Sequence, residues 1–198
     1  QAMARTGQLL RPQKIMDSRL DRQSTHESLL KGIEAVSHVM AVDQSHIAIT
    51  GLSDGASAAT YALIHSDIFS LALLSTCCDD PQITLTSIGP RYEQAMKTRG
   101  YRLDWNNPRS GWLRVSLAMN ANKVCARVVI QAADREARMA LYSYGALKRA
   151  GVDVEMFIFP DEHHIKWQPA HRAAVYNRTV TELVSWASQL RPQCRRQG

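Results

Sequence analysis

A serine hydroxyl attacks a carbonyl only when a neighbouring base takes its proton and a carboxylate orients that base. Residues of these three types occur in a suggestive order in this sequence. Ser53 sits in Gly51-Leu52-Ser53-Asp54-Gly55, a Gly-x-Ser-x-Gly string. Acids follow at Asp134 and Glu136, in Ala132-Ala133-Asp134-Arg135-Glu136. Two histidines come last, His163 and His164, in Phe159-Pro160-Asp161-Glu162-His163-His164-Ile165. The serine string alone is weak, because composition would produce it in about one chain in 15 of this length. Its worth depends on the elements around it.

A nucleophilic serine of this kind has to stand on a sharp turn from a strand into a helix. The sequence predicts that context. His46–Thr50 is a short β-branched run read as a strand, and residues 55–65 are small and apolar, suited to a helix packed closely on a sheet. Gly51 and Gly55 are expected to flank Ser53 because larger neighbours would clash. The start of the following helix offers positive potential to a developing oxyanion, and the Asp54 backbone N–H is the expected donor.

The rest of the chain alternates in the same way. Further strands are predicted at 70–75, 127–132 and 152–159, and helices at 25–40, 90–98, 110–118, 137–149 and 169–190. Ser24 and Glu27 fit a capping box for the first helix, whose apolar positions are Leu29, Ile33, Val36 and Met40. Gly151 suits a helix C-terminus and Pro169 a first turn. Apolar strands alternating with helices predict an α/β fold, a mostly parallel sheet with helices on both faces. In a nucleophile-elbow hydrolase the order along the chain is Ser, acid, His, with acid and base just past later strands. Asp134 has that position after the third strand and is the expected acid. It is equally suited to capping the next helix, and Glu136 is the alternative acid. The base is His163 or His164. The remaining histidines, His26, His38, His46, His65 and His171, are read as structural.

Other chemistries find less support. The 198 residues suffice for one domain with a sizeable core, and 45% hydrophobic with 21% charged residues is ordinary for a globular protein. No run approaches the length of a membrane span. The net charge of +6 comes from scattered Lys and Arg without interleaved aromatics, so no nucleic-acid partner is expected. Cys77, Cys78, Cys125 and Cys194 form no Cys-x-x-Cys, and no metal or other cofactor is expected. The adjacent Cys77 and Cys78 pair poorly, so the thiols are read as reduced, which leans toward a cytoplasmic address. Asp79 and Asp80 are read as a solvated loop.

The three strings Gly-Leu-Ser-Asp-Gly, Ala-Asp-Arg-Glu and Phe-Pro-Asp-Glu-His-His resemble, in order, the catalytic blocks of the prolyl oligopeptidase family of serine peptidases, which have the α/β-hydrolase fold. The last block of that family commonly reads Pro-Asp-Glu-Gly-His, and this resemblance assigns the base to His164. Residues 51–57 and 161–172 are more closely similar to lasso-peptide isopeptidases, a bacterial branch of the family. The resemblance covers about residues 24–190. It implies hydrolysis of the isopeptide bond that joins a peptide's N-terminal amine to an Asp or Glu side chain, with a lasso peptide as the partner and no cofactor. A general peptidase or esterase would use the same residues, and an inactive fragment would act as a binding module. The family carries a β-propeller and earlier hydrolase strands that find no counterpart here. The chain is therefore expected to be the C-terminal part of a catalytic domain over 24–198, with 1–23 as an irregular lead-in. Its nucleophile strand is expected to lack one neighbour, leaving the chain by itself weakly active or prone to aggregate.

Overall fold

The computed structural model describes residues 20–75, 80, 83, 87, 89–98 and 113–189. Contacts divide the chain into two units, Gln1–Val42 with Pro81–Ser116, and Asp43–Asp80 with Leu117–Gly198. In chain order the elements are α1 (Leu20–Val39), β1 (Ala48–Leu52), α2 (Asp54–His65), β2 (Leu71–Ser75), α3 (Pro90–Thr98), β3 (Arg127–Ala133), α4 (Asp134–Arg149), β4 (Val154–Phe159) and α5 (Pro169–Ala187). Of the short helix expected over 110–118, the described part holds a 3-10 turn at Leu113–Val115, and a second 3-10 segment, Ala118–Lys123, follows where no helix was expected.

The second unit is organised by its four strands, which lie in chain order and all run parallel. Neighbouring parallel strands need a crossover between them. α2 supplies one from β1 to β2 and α4 another from β3 to β4, and each helix contacts the strands it joins. Side chains alternate between the two faces of a strand. Leu71, Leu73 and Val129 point to one face, where Trp186 and Leu183 of α5 cover them together with Ala48 and Phe157. The alternate positions, Ala72, Leu74, Val128, Ile130 and Ala132, are fully buried as well. Two buried faces explain why these strands read as continuous apolar runs.

The inward face of α5 can be traced residue by residue. Arg178 stacks over the Phe157 ring at 3.5 Å. Thr179 Oγ1 accepts from Gln131 Nε2 at 3.3 Å. Glu182 accepts from Arg127 Nε and Nη2 at 3.0 and 3.2 Å. Leu183 and Trp186 complete a set spaced as one helical side demands. At the other end of α4, Val152 N–H bonds the Leu147 carbonyl and Gly151 N–H the Lys148 carbonyl. With Gly151 at φ 76°, this is a Schellman stop, as the glycine's position predicted.

Several local expectations change. α1 begins at Leu20, so Ser24 lies inside it and is buried. Glu27 accepts from Gln23 Nε2 at 2.8 Å, an i to i+4 pair in place of the predicted capping box. Of the expected apolar stripe, Leu29 and Val36 are exposed. β1 starts two residues late because Ser45 and His46 are used in a turn: the Ser45 amide and hydroxyl bond Asp43 Oδ1, and His46 Nδ1 bonds Asp43 Oδ2 at 2.7 Å. His46 Nε2 donates to the Gln189 carbonyl at 2.7 Å, tying the end of α5 to the start of β1. Asp80 is buried, and its carboxylate accepts the Ala118 N–H at 3.2 Å, so it is no solvated loop residue. Asp79 lies outside the described residues. Cys125 is disulfide-bonded, which overturns the reading of its thiol as reduced. The other three cysteines lie outside the described residues.

Candidate active site

Ser53 follows β1 directly, and its N–H still bonds the β2 carbonyl of Ser75 at 3.1 Å. The chain then turns abruptly. Ser53 has φ 56° and ψ −119°, a conformation that L-residues avoid. Strain of this kind, of order 1–3 kcal/mol, persists only where the surroundings enforce it. α2 begins at the next residue, with Ser57 N–H on the Ser53 carbonyl at 3.1 Å. A serine ahead of a helix ordinarily caps it with its hydroxyl. Here the side chain makes no cap bond; its Oγ meets His164 Nε2 at 2.7 Å.

The two flanking glycines prove unequal. A Cβ on Gly51 would lie 2.3 Å from the Gly55 carbonyl oxygen, so Gly51 has to lack a side chain for the turn to close. A Cβ on Gly55 would meet nothing within 4 Å. Steric need therefore explains the first glycine and not the second.

His164 stands on the loop after β4. Its Nδ1 is 2.5 Å from Glu136 Oε1. An ionised carboxylate only accepts, so Nδ1 carries the proton and Nε2 is left to accept from the Ser53 hydroxyl. That is the tautomer a general base needs. His163, the alternative base, is exposed beside it, and the ring on Ser53 is that of His164.

Asp134, the expected acid, does not reach His164. It is the first residue of α4, and both its oxygens serve backbone amides: Oδ2 accepts Asp161 N–H at 2.6 Å, and Oδ1 accepts Arg135 N–H at 2.8 Å and Glu162 N–H at 3.3 Å. The Asp161 amide bond, with those of Arg135 and Glu162, holds the Asp134 carboxyl below its ordinary value against the effect of burial. Its place is a clamp on the turn after β4, where Asp161 is in the left-handed region at φ 51°. Glu136, two residues on, is the carboxylate the structure brings to the imidazole. Residues two apart on a helix point about 200° away from each other, so one helix start serves the turn with Asp134 and the histidine with Glu136.

The loop has a second anchor that sequence reasoning missed. Glu162 is fully buried. It accepts Trp167 N–H at 2.8 Å, Gln168 N–H at 3.1 Å and His171 Nδ1 at 2.9 Å. Burial opposes its ionisation, but those bonds outweigh it and hold the carboxyl below its usual value. Trp167 Nε1 and Gln168 Nε2 also donate to the Asp161 carbonyl, at 3.3 and 3.0 Å. His164 is thus presented by a loop fixed at both ends. The only hint in the sequence was an acid set among the chemistry-bearing residues of a short string. Among the described residues, no group of three His, Cys, Asp or Glu is placed to hold a metal, and no helix is long and apolar enough to cross a membrane.

Chemically, the arrangement can deprotonate Ser53, carry the charge on His164 and stabilise it with Glu136. Comparison with known proteins agrees in kind. A family model described as the prolyl oligopeptidase family matches residues 16–189. Lasso peptide isopeptidase AtxE2 of Asticcacaulis excentricus is 41% identical over 145 residues, 73% of this chain and 21% of that protein. The solved structure of an AtxE2 isopeptidase variant with Astexin3-dC4 bound superposes with a TM-score of 0.81 at 35% identity, covering 91% of this chain and 28% of that one. Pyrococcus horikoshii acylaminoacyl peptidase, at 20% identity and a TM-score of 0.71, shares the fold over 89% of this chain and 30% of that one. The fold is that of the α/β-hydrolase peptidases. The chain spans about a fifth of the curated relative's length.

Proposed function

This chain belongs to the prolyl oligopeptidase family, and we propose that it carries the acyl-transfer machinery of a serine isopeptidase that opens the ring of a lasso peptide. The observation that carries this reading is the continuous line of contacts from Ser53 Oγ through His164 to Glu136, set at the ends of parallel strands.

In the proposed reaction Ser53 Oγ attacks the carbonyl carbon of the isopeptide bond, and its proton passes to His164 Nε2. Glu136 stabilises the imidazolium through Nδ1. The oxyanion forms at the N-terminus of α2, with the Asp54 N–H as one donor. His164 then gives its proton to the departing amine as the C–N bond breaks, leaving an ester on Ser53. Water, deprotonated by His164, attacks that ester, and the freed carboxylate and Ser53 hydroxyl result. The chemistry requires no cofactor. The lasso substrate is inferred from the 41% identical relative, whose name states that activity.

The test is fluorophosphonate labelling of the chain beside Ser53→Ala, with mass spectrometry of the adduct, followed by incubation with threaded peptides. Labelling at Ser53, and opening of a threaded peptide by addition of one water, are expected. Cleavage of linear or ester substrates with threaded ones untouched would move the reading to a general peptidase or esterase. A folded chain that never labels would remove the hydrolase reading and leave a binding module.

A further inference from the structure

The loop that carries His164 reverses the usual placement of its residues. Its charged members go in: Glu162 is fully buried and Lys166 is only 8% exposed. Its large apolar members stay out: Ile165 is 63% exposed and Trp167 59%. Globular proteins generally place these residue types the other way round. The ions are provided for, Glu162 by two loop amides and His171, and Lys166 by the Gln131 carbonyl, to which it donates at 3.4 Å. Lys166 stands between the two apolar residues and is turned inward, so Ile165 and Trp167 share the outer side of the loop. The indole is also fixed. Its Nε1 donates to the Asp161 carbonyl at 3.3 Å, on the turn that Asp134 clamps. A ring held in place while more than half exposed can receive another apolar group at little further cost in entropy.

The reaction decides what this pair would meet. His164 Nε2, 2.7 Å from Ser53 Oγ, takes the serine proton and has to hand it to the departing amine. The leaving half of a substrate therefore lies on the His164 side of the bond under attack, while the acyl half stays on Ser53. Ile165 follows the base directly, about 3.8 Å away from Cα to Cα, and Trp167 is three residues beyond His164. We propose that Ile165 and Trp167 are specificity-determining residues: an apolar seat for the leaving half, selecting peptides with a large aliphatic or aromatic side chain on the amine side of the scissile bond. In a ring closed through the peptide's N-terminal amine, that half begins with the N-terminal residue. The proposal rests on the reading of Ser53 and His164 as nucleophile and base.

The experiment uses three phosphonates that put the same phosphonyl group on Ser53 and differ only in what departs: fluoride, phenoxide or naphthoxide. In each, Ser53 Oγ bonds to phosphorus as the bond to the leaving group breaks, and the serine proton passes through His164 to the departing group. The adduct has one mass in all three cases, so mass spectrometry follows one product. The wild type is expected to take the naphthyl probe about tenfold faster than the phenyl probe. Trp167→Ala is expected to lower that ratio about fivefold and Ile165→Ser about threefold, while Trp167→Phe and Ile165→Leu keep it. A loop merely loosened slows all three probes alike and leaves the ratio where it was, and that result would overturn the proposal. So would a wild type that takes both aryl probes at equal rates, or takes the fluoride alone. Should Trp167→Ala fail to fold, Ile165→Ser and Ile165→Leu, at an exposed position, decide. A folded wild type that takes none of the three would remove Ser53 as the nucleophile, and this proposal with it.

Discussion

Two acids two residues apart, Asp134 and Glu136, divide the work of holding His164 and its loop, and their variants should fail differently. Glu136→Gln keeps the size of the side chain but removes the charge that stabilises imidazolium. The labelling rate at Ser53 is expected to fall about a thousand- to ten-thousand-fold with the fold intact. Asp134→Asn keeps Glu136 on His164 but loosens the turn after β4, since an amide is a poorer acceptor for the three N–H groups now bonded. Labelling is expected within about tenfold of wild type, with a lower thermal midpoint. The pH dependence separates them further. The folded-state pKa of Asp134 is depressed, so its contribution is complete above the ordinary value of 3.8 and is lost as pH falls through the lower folded value. The gap in thermal midpoint between wild type and Asp134→Asn should therefore be wide at pH 6 and close in strong acid. A gap independent of pH would refute the clamp. The sequence allowed either acid because the choice depends on where a loop 28 residues later approaches the helix, which no local pattern encodes.

At the level of elements, the elbow was the most legible feature. A β-branched strand, a Gly-bounded serine and a helix of small residues are each local signals, and they coincide. What spacing could not reveal is that only Gly51 is sterically required. Gly51→Ala is expected to abolish labelling, because its Cβ would displace the Gly55 carbonyl and with it the start of α2. Gly55→Ala has open space and a helical setting, so it should label within about twofold and gain up to about 0.5 kcal/mol. Labelling rates and denaturant midpoints of the two variants check this, and equal damage at both positions would contradict it. Strands were easy to find because burial on both faces makes them unbroken apolar runs. Capping was not: Ser24-Thr25-His26-Glu27 satisfies a helix-start pattern, yet α1 runs through it from Leu20 and Glu27 pairs with Gln23 instead. A capping box is a pair of side-chain options, and the helix takes them only if the preceding residues leave it.

For the molecule as a whole, a parallel sheet with helical cover on both faces could be read in advance, since it follows from the alternation of apolar strands with helices. Disulfide pairing could not, because it depends on which distant segments meet. Cys125 follows the Ala118–Lys123 segment by only two residues, and nothing in that neighbourhood of the sequence marks it as bonded. The buried ions were equally hidden. Glu162 and Lys166 sit in a string that reads as a polar loop, and only the folded loop turns them inward.

Among the described residues β1 is an outermost strand, hydrogen-bonded to β2 alone, and it is the strand that leads into Ser53, the proposed nucleophile. Where no further strand pairs with its other edge, β1 detaches at a lower free energy than the centre of the sheet. Ser53 would leave with it. Amide hydrogen exchange should run faster in residues 48–52 than in 128–132. In a urea series the labelling at Ser53 should disappear while most of the helical circular dichroism persists. Inactivation would then be a partial event that precedes denaturation, and the resilience of the reaction would be set by one strand.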